Sequence, residues 1–120
     1  MSNSVKITYF DRAAVERALD GWVSALTQQH PEVARVVLFG SVARHRALPG
    51  SDVDVMLVLS DSDRMFRERP ALYEPDAFPT GIDIFAYTSD ELDRMLAEGN
   101  WFVKRALREG IILFDRDAMA

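Results

Sequence analysis

The sequence of 120 residues has no cysteine, which excludes disulfide bonds and thiolate metal sites. No apolar run approaches the ~18 residues of a membrane span, and the first residues lack the apolar core of a signal peptide. Positive charge is scarce, because 14 Lys and Arg face 19 Asp and Glu and the net charge is −5. Since a nucleic-acid surface needs clustered Lys and Arg, we expect neither nucleic acid nor a membrane as a partner. The expected location is the cytoplasm.

The amino-acid composition is that of an ordinary globular protein. Hydrophobic residues make up 48% and charged residues 28% of the chain. A chain of this length buries roughly two-thirds of its unfolded surface, which is enough for one stable core. We therefore expect residues 1–120 to form a single domain.

Helices are predicted from apolar spacing and capping residues. A helix over 11–30 begins at an Asp N-cap, and a short helix over 41–46 follows the first strand with Ser as its N-cap. The stretch 88–91 has the spacing of a capping box that opens another helix. Asn100 caps a last helix, which ends with Gly110 at its C′ position. The aromatic residues of these helices at helical spacing are expected in the core, namely Trp22, Trp101 and Phe102, although an exposed Trp101 would suit a partner surface.

Strands are predicted from runs rich in apolar and β-branched residues. Four such runs lie at 34–39, 52–59, 80–88 and 111–114, and the last is short enough for a sheet edge. The polar segment 60–79 contains three prolines, which predicts a broken helix or a loop, and the alternating charges at 63–70 predict a solvated face. The predicted fold class is α/β (α+β), with a small mixed β-sheet flanked by helices.

Acidic residues interrupt two of these strands, which otherwise consist of core residues. Asp52 and Asp54 share one strand face, because successive side chains alternate, and Asp83 lies between two isoleucines in the third strand. If the two strands are neighbours, three carboxylates converge. Two such charges ~5 Å apart repel by about 3 kcal/mol at an effective dielectric of 20. A divalent cation reverses the sign of that interaction, and oxygen ligands with open positions favour Mg²⁺.

Gly40 and Ser41 lie where a strand meets a helix. Free backbone N–H groups at a helix start attract an anion, and glycine lets a phosphate approach the backbone. Arg44 lies three residues after Ser41, hence on the same helix face, where its guanidinium can reach the same phosphate. As an isolated pair Gly-Ser is an ordinary helix start, so its significance comes from the acids that follow it.

The stretch FGSVARHRALPGSDVDV, residues 39–55, resembles the signature of the polymerase-β-like nucleotidyltransferases, specifically of the minimal nucleotidyltransferase family. That signature has Gly-Ser-x-Ala-Arg-Gly, a short spacer, and Ser-Asp-x-Asp before a hydrophobic residue. The matching residues are Gly40, Ser41, Ala43, Arg44, Ser51, Asp52 and Asp54. Asp83 in GIDIFAY matches the third, later acid of the family. His45 departs from the family's glycine, and we expect it to be a solvated residue at the helix end.

The resemblance implies a polymerase-β-like nucleotidyltransferase fold that uses two Mg²⁺ ions and ATP. It implies that Asp52 and Asp54 bind both metal ions, and that Asp83 binds the catalytic ion and helps to deprotonate the acceptor hydroxyl. The residues that it assigns to the β- and γ-phosphates are Gly40, Ser41 and Arg44. The implied reaction is an in-line attack on the α-phosphorus with release of pyrophosphate.

The resemblance also implies a partner, because minimal members of the family typically act beside a HEPN-domain protein in a toxin–antitoxin pair. It implies transfer of AMP to a tyrosine of such a HEPN toxin, with homo- or hetero-oligomeric assembly left open. Two alternatives also stay open: an antitoxin that neutralises its partner by binding alone, and a small-molecule nucleotidyltransferase of the aminoglycoside-modifying kind. The three intact acids favour catalysis, and 120 residues leave little room for a separate acceptor domain, which disfavours a small-molecule acceptor.

Overall fold

The structure is a computed structural model that describes the backbone of residues 10–119 and the side chains of residues 10–118. The start of the chain, where the sequence lacks a signal-peptide pattern, lies outside these residues. The bounds of the helices and strands are α1 Arg12–Gln29, β1 Val33–Phe39, α2 Gly40–Ala43, β2 Val53–Leu59, α3 Pro70–Tyr73, β3 Ile82–Thr88, α4 Ser89–Ala97, α5 Trp101–Glu109 and β4 Ile111–Asp115. Short 3₁₀ turns lie at Phe66–Glu68 and Asp117–Met119. Within the described part of the chain, no helix is both long enough and apolar enough to cross a membrane.

Four strands form one mixed sheet in the order β3-β2-β1-β4. β1 pairs antiparallel with both β2 and β4, whereas β2 and β3 are parallel. A parallel pair needs a long crossover connection, which here contains a 3₁₀ turn and α3. The predicted α+β fold, with a small mixed sheet flanked by helices and β4 at its edge, is confirmed.

Apolar side chains cover both faces of the sheet, as the composition of the strands predicts. One face packs against α1, α2 and α3 through side chains that include Val36, Leu38, Val53, Val55 and Leu57. The other face packs against α4 and α5 through Val37, Phe39, Met56 and Val58. Because β2 is buried on both faces, only its start can carry charged side chains without burying an unpaired charge.

The helix caps predicted at the starts of α1, α4 and α5 are present. Asp11 caps α1, and its Oδ1 accepts a hydrogen bond of 3.1 Å from Ala14 N. Thr88 and Glu91 form the capping box at the start of α4, and Asn100 caps α5 with its side chain. Each of these side chains satisfies a backbone N–H that the first helical turn leaves without a partner.

Gly110 follows α5, but not in the left-handed C′ conformation that the sequence predicts. Its φ of −78° and ψ of 165° are extended, and residues other than glycine adopt them readily. A Cβ on Gly110 would instead lie 2.5 Å from Ala106 O and 2.6 Å from Val37 Cγ1. Glycine is therefore required because α5 turns into β4 directly against β1, where no space remains for a side chain.

The segment between β2 and β3 is a broken helix, as its prolines predict, but part of the stretch 63–70 is not solvated. Arg69 is only 4% exposed. Its guanidinium makes a two-point contact of 2.6 and 3.0 Å with the Glu91 carboxylate and donates a 3.0 Å hydrogen bond to Ala86 O. The alternating charges could not reveal this pairing, because the two partners are 22 residues apart in the sequence.

The aromatic residues of the helices divide between core and surface. Trp22 is buried as expected, and its Nε1 donates a 2.8 Å hydrogen bond to Tyr73 O of α3. Trp101 and Phe102, also expected in the core, are 67% and 38% exposed. Helical spacing identifies the residues that share a face, but it does not show whether a neighbouring element covers that face.

We expect Glu91→Gln to lower the free energy of unfolding at pH 7 by about 2–3 kcal/mol, because it leaves the buried Arg69 guanidinium without a counter-charge. The hydrogen bond from Arg69 lowers the pKa of Glu91 to about 2, from an ordinary value of 4.5. A lowered carboxyl pKa stabilises the fold fully above the unfolded-state value, and this contribution is lost as the pH falls towards 2. Urea unfolding at pH 7 and in acid tests this, with Glu98→Gln, an exposed residue at the end of α4, as the control. An equal and small cost in both variants would contradict the expectation.

Candidate active site

The carboxylates of β2 and β3 meet at one end of the sheet. Asp54 lies opposite Asp83 in the parallel pairing of the two strands. Alternation places both side chains on the sheet face that packs against α4 and α5. Neighbouring strands lie about 4.8 Å apart, so the two carboxylates belong to one site. Asp54 is partly buried, whereas Asp83 is exposed and open to an incoming molecule.

Two glycines, which have no side chain, leave room for the carboxylates of Asp54 and Asp52. A Cβ on Gly40 would overlap Oδ2 of Asp54, and the φ of +79° at Gly40 is in the left-handed region that favours glycine. A Cβ on Gly81, directly before β3, would overlap Oδ1 of Asp52. Asp54 therefore leans towards the β1–α2 turn and Asp52 towards β3. Gly81 was not predicted as part of the site, although a glycine directly before an acid-bearing strand is visible in the sequence.

The electrostatic environment of Asp54 is unfavourable for its charge. Burial raises the pKa of Asp54 above its ordinary value of 3.8, and the negative charges of Asp83 and Asp52 raise it further. The positive charge of Arg44 acts in the opposite direction but does not cancel these effects. Burial and the two neighbouring acids together therefore disfavour the charged form of Asp54.

The helix after β1 is shorter than the predicted 41–46. α2 makes a single turn, and its N-cap is Phe39, which has no side-chain hydrogen-bonding group, rather than Ser41. One helical turn aligns few peptide dipoles, so the backbone alone attracts an anion less strongly than a long helix would. The positive charge for a phosphate at this turn has to come from side chains such as Arg44.

His45 ends this short helix in the left-handed region, with a φ of 57°. The hydrogen bonds from His45 N to Val42 O (3.2 Å) and from Arg46 N to Ser41 O (2.8 Å) form a Schellman motif, whose C′ position favours glycine. This geometry accounts for the glycine that the family pattern has here. His45 is exposed, as expected for a residue at the helix end. Its Nε2 accepts a 3.1 Å hydrogen bond from Arg12 Nη2 of α1.

A cavity of about 190 Å³ opens beside Asp54, between the β1–α2 turn and α5. Its wall contains three residues of the predicted site, Gly40, Arg44 and Asp54. It also contains residues of α5 that were not predicted for the site, including Trp101, Phe102, Arg105 and Glu109. The other predicted residues, Ser41, Asp52 and Asp83, are not part of this wall.

The charged residues of α5 connect this helix to the β1–α2 turn. Glu109 Oε1 accepts hydrogen bonds from Arg105 Nε (3.1 Å) and from Arg44 Nη1 (3.5 Å). The Arg105 guanidinium also lies over the ring of Trp101, 5.3 Å from the ring centre, in a cation–π contact. The spacing of Arg105 and Glu109 on one helix face is visible in the sequence. Their meeting with Arg44, 65 residues from Glu109, is not.

Larger cavities lie elsewhere on the molecule. One of about 310 Å³ lies between α1 and α3, and its wall includes Trp22, His30 and Tyr73. Another, of about 580 Å³, lies near α1 and the end of β4. Neither wall contains any of the predicted acids or Gly40. The chemistry of the wall rather than the volume therefore identifies the cavity beside Asp54 as the candidate site.

The carboxylate oxygens at the start of β2 and β3 are chemically suitable ligands for a divalent cation. Asp54 and Asp83 supply carboxylate oxygens from neighbouring strands. The pKa of Asp54 is raised by burial and by the charges of Asp83 and Asp52, and a bound cation would offset both effects. Within residues 10–118, no group of three or more His, Cys, Asp or Glu side chains is gathered closely enough to enclose a metal ion. A third carboxylate ligand requires Asp52 to turn away from Gly81, which its exposed position allows.

Comparisons with known proteins identify the fold and the family. A family model for the nucleotidyltransferase domain matches residues 20–114. A candidate nucleotidyltransferase from Sulfolobus solfataricus has a similar structure, with a TM-score of 0.64 and 20% identity over 88% of this chain and 85% of that chain. A chain in a crystal structure of a toxin–antitoxin with AMP-PNP is also similar, with a TM-score of 0.50 and 14% identity over 80% of this chain and 73% of that chain. At these identities the two structures show the fold alone. The search of curated proteins found no match.

We expect Asp54→Asn to raise the free energy of unfolding at pH 7 by on the order of 1 kcal/mol, because it removes a charge that burial disfavours and that Asp83 and Asp52 repel. A raised carboxyl pKa means that the folded state binds the proton more tightly than the unfolded state does. Ionisation of Asp54 therefore lowers the free energy of unfolding at neutral pH, and this cost disappears as the pH falls below 3.8. Urea unfolding across this pH range, with Asp61→Asn as an exposed control, measures the difference. A neutral-pH stability at or below the wild-type value would argue against the charge repulsion.

The two glycines should differ in their tolerance of a side chain. Gly40→Ala should destabilise the fold by about 1–2 kcal/mol from left-handed strain alone, with the overlap on Asp54 in addition. Gly81→Ala should stay within about 0.5 kcal/mol of the wild type, since the exposed Asp52 carboxylate can move aside. Urea unfolding of both variants provides the comparison, and equal costs would show that the space around the two acids has been misjudged.

Proposed function

This chain belongs to the nucleotidyltransferase domain family, whose model covers residues 20–114 of its 120 residues, and we propose that it transfers AMP from ATP to a hydroxyl group of a partner protein. The observation that carries this proposal is the position of Asp54, opposite Asp83 and beside Gly40 and Arg44. Such an arrangement combines carboxylates for divalent cations with a guanidinium for phosphate. We also propose that residues 1–120 act as one catalytic unit.

All three acids take part in the proposed reaction, and Asp83 has a second role. Asp54 and Asp83, joined by Asp52 once its side chain turns, would hold Mg²⁺, which supplies charge neutralisation at the triphosphate when bound. Asp83, like Asp52, is exposed, so an acceptor can approach it. Its carboxylate accepts the proton of the attacking hydroxyl group.

The proposed transfer breaks a phosphoanhydride bond of ATP and forms a phosphate ester bond to the acceptor. The acceptor oxygen attacks the α-phosphorus of ATP in line with the leaving group and forms a new O–P bond. The bond from the α-phosphorus to the oxygen that bridges to the β-phosphate breaks, and pyrophosphate leaves. The Arg44 guanidinium and the backbone at Gly40 and Ser41 would hold the β- and γ-phosphates, and positioning of this kind supplies much of the rate.

The proposed acceptor is a tyrosine hydroxyl of a HEPN-type toxin, for which this chain acts as the antitoxin. The resemblance of residues 39–55 to minimal nucleotidyltransferases supports this partner, as does the fold similarity to a chain from a toxin–antitoxin. The exposed side chains of Trp101 and Phe102 lie next to the candidate site, where an apolar surface suits a protein partner. AMP on such a tyrosine would place an anion where it repels RNA phosphates, which would block a ribonuclease.

Incubation of the chain with its HEPN partner, ATP and Mg²⁺ should increase the intact mass of the partner by whole AMP units of roughly 329 Da. We expect EDTA to prevent the addition, and Asp83→Asn to abolish it while much of the ATP binding remains. The matched control is Asp76→Asn, an exposed acid in the segment between β2 and β3 that should transfer at the wild-type rate. Intact-mass spectrometry follows the partner in all four reactions.

The outcomes of this experiment separate the proposal from its alternatives. A partner that is neutralised without a change in mass would favour an antitoxin that acts by binding alone. In a parallel reaction with an aminoglycoside in place of the partner, addition of AMP to the aminoglycoside but to no protein would favour a small-molecule acceptor. Wild-type transfer by the Asp83→Asn variant would show that the third carboxylate has been misassigned.

A further inference from the structure

Two arginine side chains from distant parts of the chain converge on one carboxylate oxygen. Arg105 Nε of α5 and Arg44 Nη1 after α2 both donate to Oε1 of Glu109, at 3.1 and 3.5 Å. The second contact joins residues that are 65 positions apart in the sequence. All three side chains lie in the wall of the 190 Å³ cavity that contains Asp54. An anionic oxygen between two guanidinium groups is the arrangement in which proteins hold a phosphate oxygen.

Arg105 is held in place even without a ligand. Trp101 contacts its guanidinium through a cation–π interaction, and Glu109 binds its Nε. A guanidinium whose position is fixed in advance loses less conformational entropy when it binds a ligand than a mobile one does. Its neighbour Lys104 is exposed and lies outside the cavity wall. Of these two adjacent cationic side chains, Arg105 is therefore the one that lines the cavity.

Binding of a polyphosphate at this site requires more positive charge than Arg44 alone supplies, and Arg105 can provide it. α2 is a single turn and contributes little dipole, and the acids near Asp54 repel a polyphosphate. Arg44 alone carries one positive charge, and Glu109 partly neutralises it. The hydrogen bond from Arg105 and the charges of Arg105, Arg44 and Arg108 lower the pKa of Glu109, so this carboxylate is ionised in a positive field.

We propose that Arg105 and Arg44 form a clamp for the terminal phosphates of the nucleoside triphosphate, and that Glu109 occupies this clamp until the substrate displaces it. This inference rests on the proposed function, because it names residues that hold the substrate of that reaction. Glu109 is then an internal competitor that sets the affinity for the triphosphate. The exchange is feasible because the Glu109 side chain is 32% exposed and can swing into solvent.

The clamp distinguishes a triphosphate from a monophosphate. AMP has no β- or γ-phosphate that could contact Arg105. The terminal phosphates of ATP take the place of the Glu109 carboxylate and carry more negative charge than it does. Glu109 also limits binding of weaker anions, because each must compete with a carboxylate that is already in place. Pyrophosphate, the product of the proposed transfer, would leave this clamp in its final step, and the return of Glu109 would assist its release.

Isothermal titration with Mg²⁺ and ATP, AMP or inorganic triphosphate tests the clamp without any transfer step. We expect Arg105→Gln to weaken the binding of ATP and of inorganic triphosphate about tenfold, and to leave AMP unchanged. Lys104→Gln is the matched control and should have less effect on ATP. Glu109→Gln should tighten ATP binding by about fivefold, since the competing charge is gone, and Glu98→Gln should not change it. Should Arg105→Gln fail to fold, Arg105→Lys provides the test, because it keeps the charge but loses the planar fork.

Two results would overturn the clamp. One is an affinity for inorganic triphosphate that Arg105→Gln and Lys104→Gln change equally. The other is ATP binding that Glu109→Gln leaves unchanged or weakens, which would make Glu109 a positioning residue rather than a competitor. A wild-type chain that binds triphosphate through Arg105 but never transfers AMP would refute the proposed function and keep the clamp. A chain that transfers AMP but binds triphosphate independently of Arg105 would refute the clamp alone.

Discussion

The register of β2 is the constraint on which the candidate site depends. β2 is buried on both faces, and side chains alternate along it, so a shift by one residue would exchange Asp54 with a valine that belongs in the core. Burial of an unpaired carboxylate is costly enough to exclude that shift. The same register places Asp54 opposite Asp83 on one side and Phe39 on the other. Core packing therefore positions the acids, although no acid is part of the core.

Helix α5 completes the site from the opposite side. Its apolar residues, Val103 and Ala106, pack on the sheet, and this packing leaves Trp101, Arg105 and Glu109 beside the β1–α2 turn. The close approach at Gly110, where a side chain would collide with β1, holds the end of α5 near that turn. The protein has an overall excess of acidic residues, yet two guanidinium groups meet in the wall of the cavity beside Asp54. A carboxylate of β3 and these two arginines are thus close to Asp54.

Much of the fold and part of the site could be predicted from the sequence. The strands, the caps at Asp11 and Asn100, and the acids of two adjacent strands follow from local patterns, because alternation and capping involve residues that are close in the sequence. The burial of Arg69 could not be predicted, since its partner Glu91 lies on another element. Similarly, the exposure of Trp101 depends on whether a neighbour covers its face of the helix.

By itself the sequence determined the chemistry that is available to this protein: carboxylates at the start of two strands, a Gly-Ser turn and an arginine after it. It also determined the alternation that puts those carboxylates on one face, because that is a property of the extended backbone. Only the tertiary structure decided which groups meet. The overlap that forces glycine at position 81 and the convergence of Arg44 and Arg105 on Glu109 involve residues far apart in the chain. The distances between these residues are set when the sheet and α5 pack together, and no local sequence pattern encodes them.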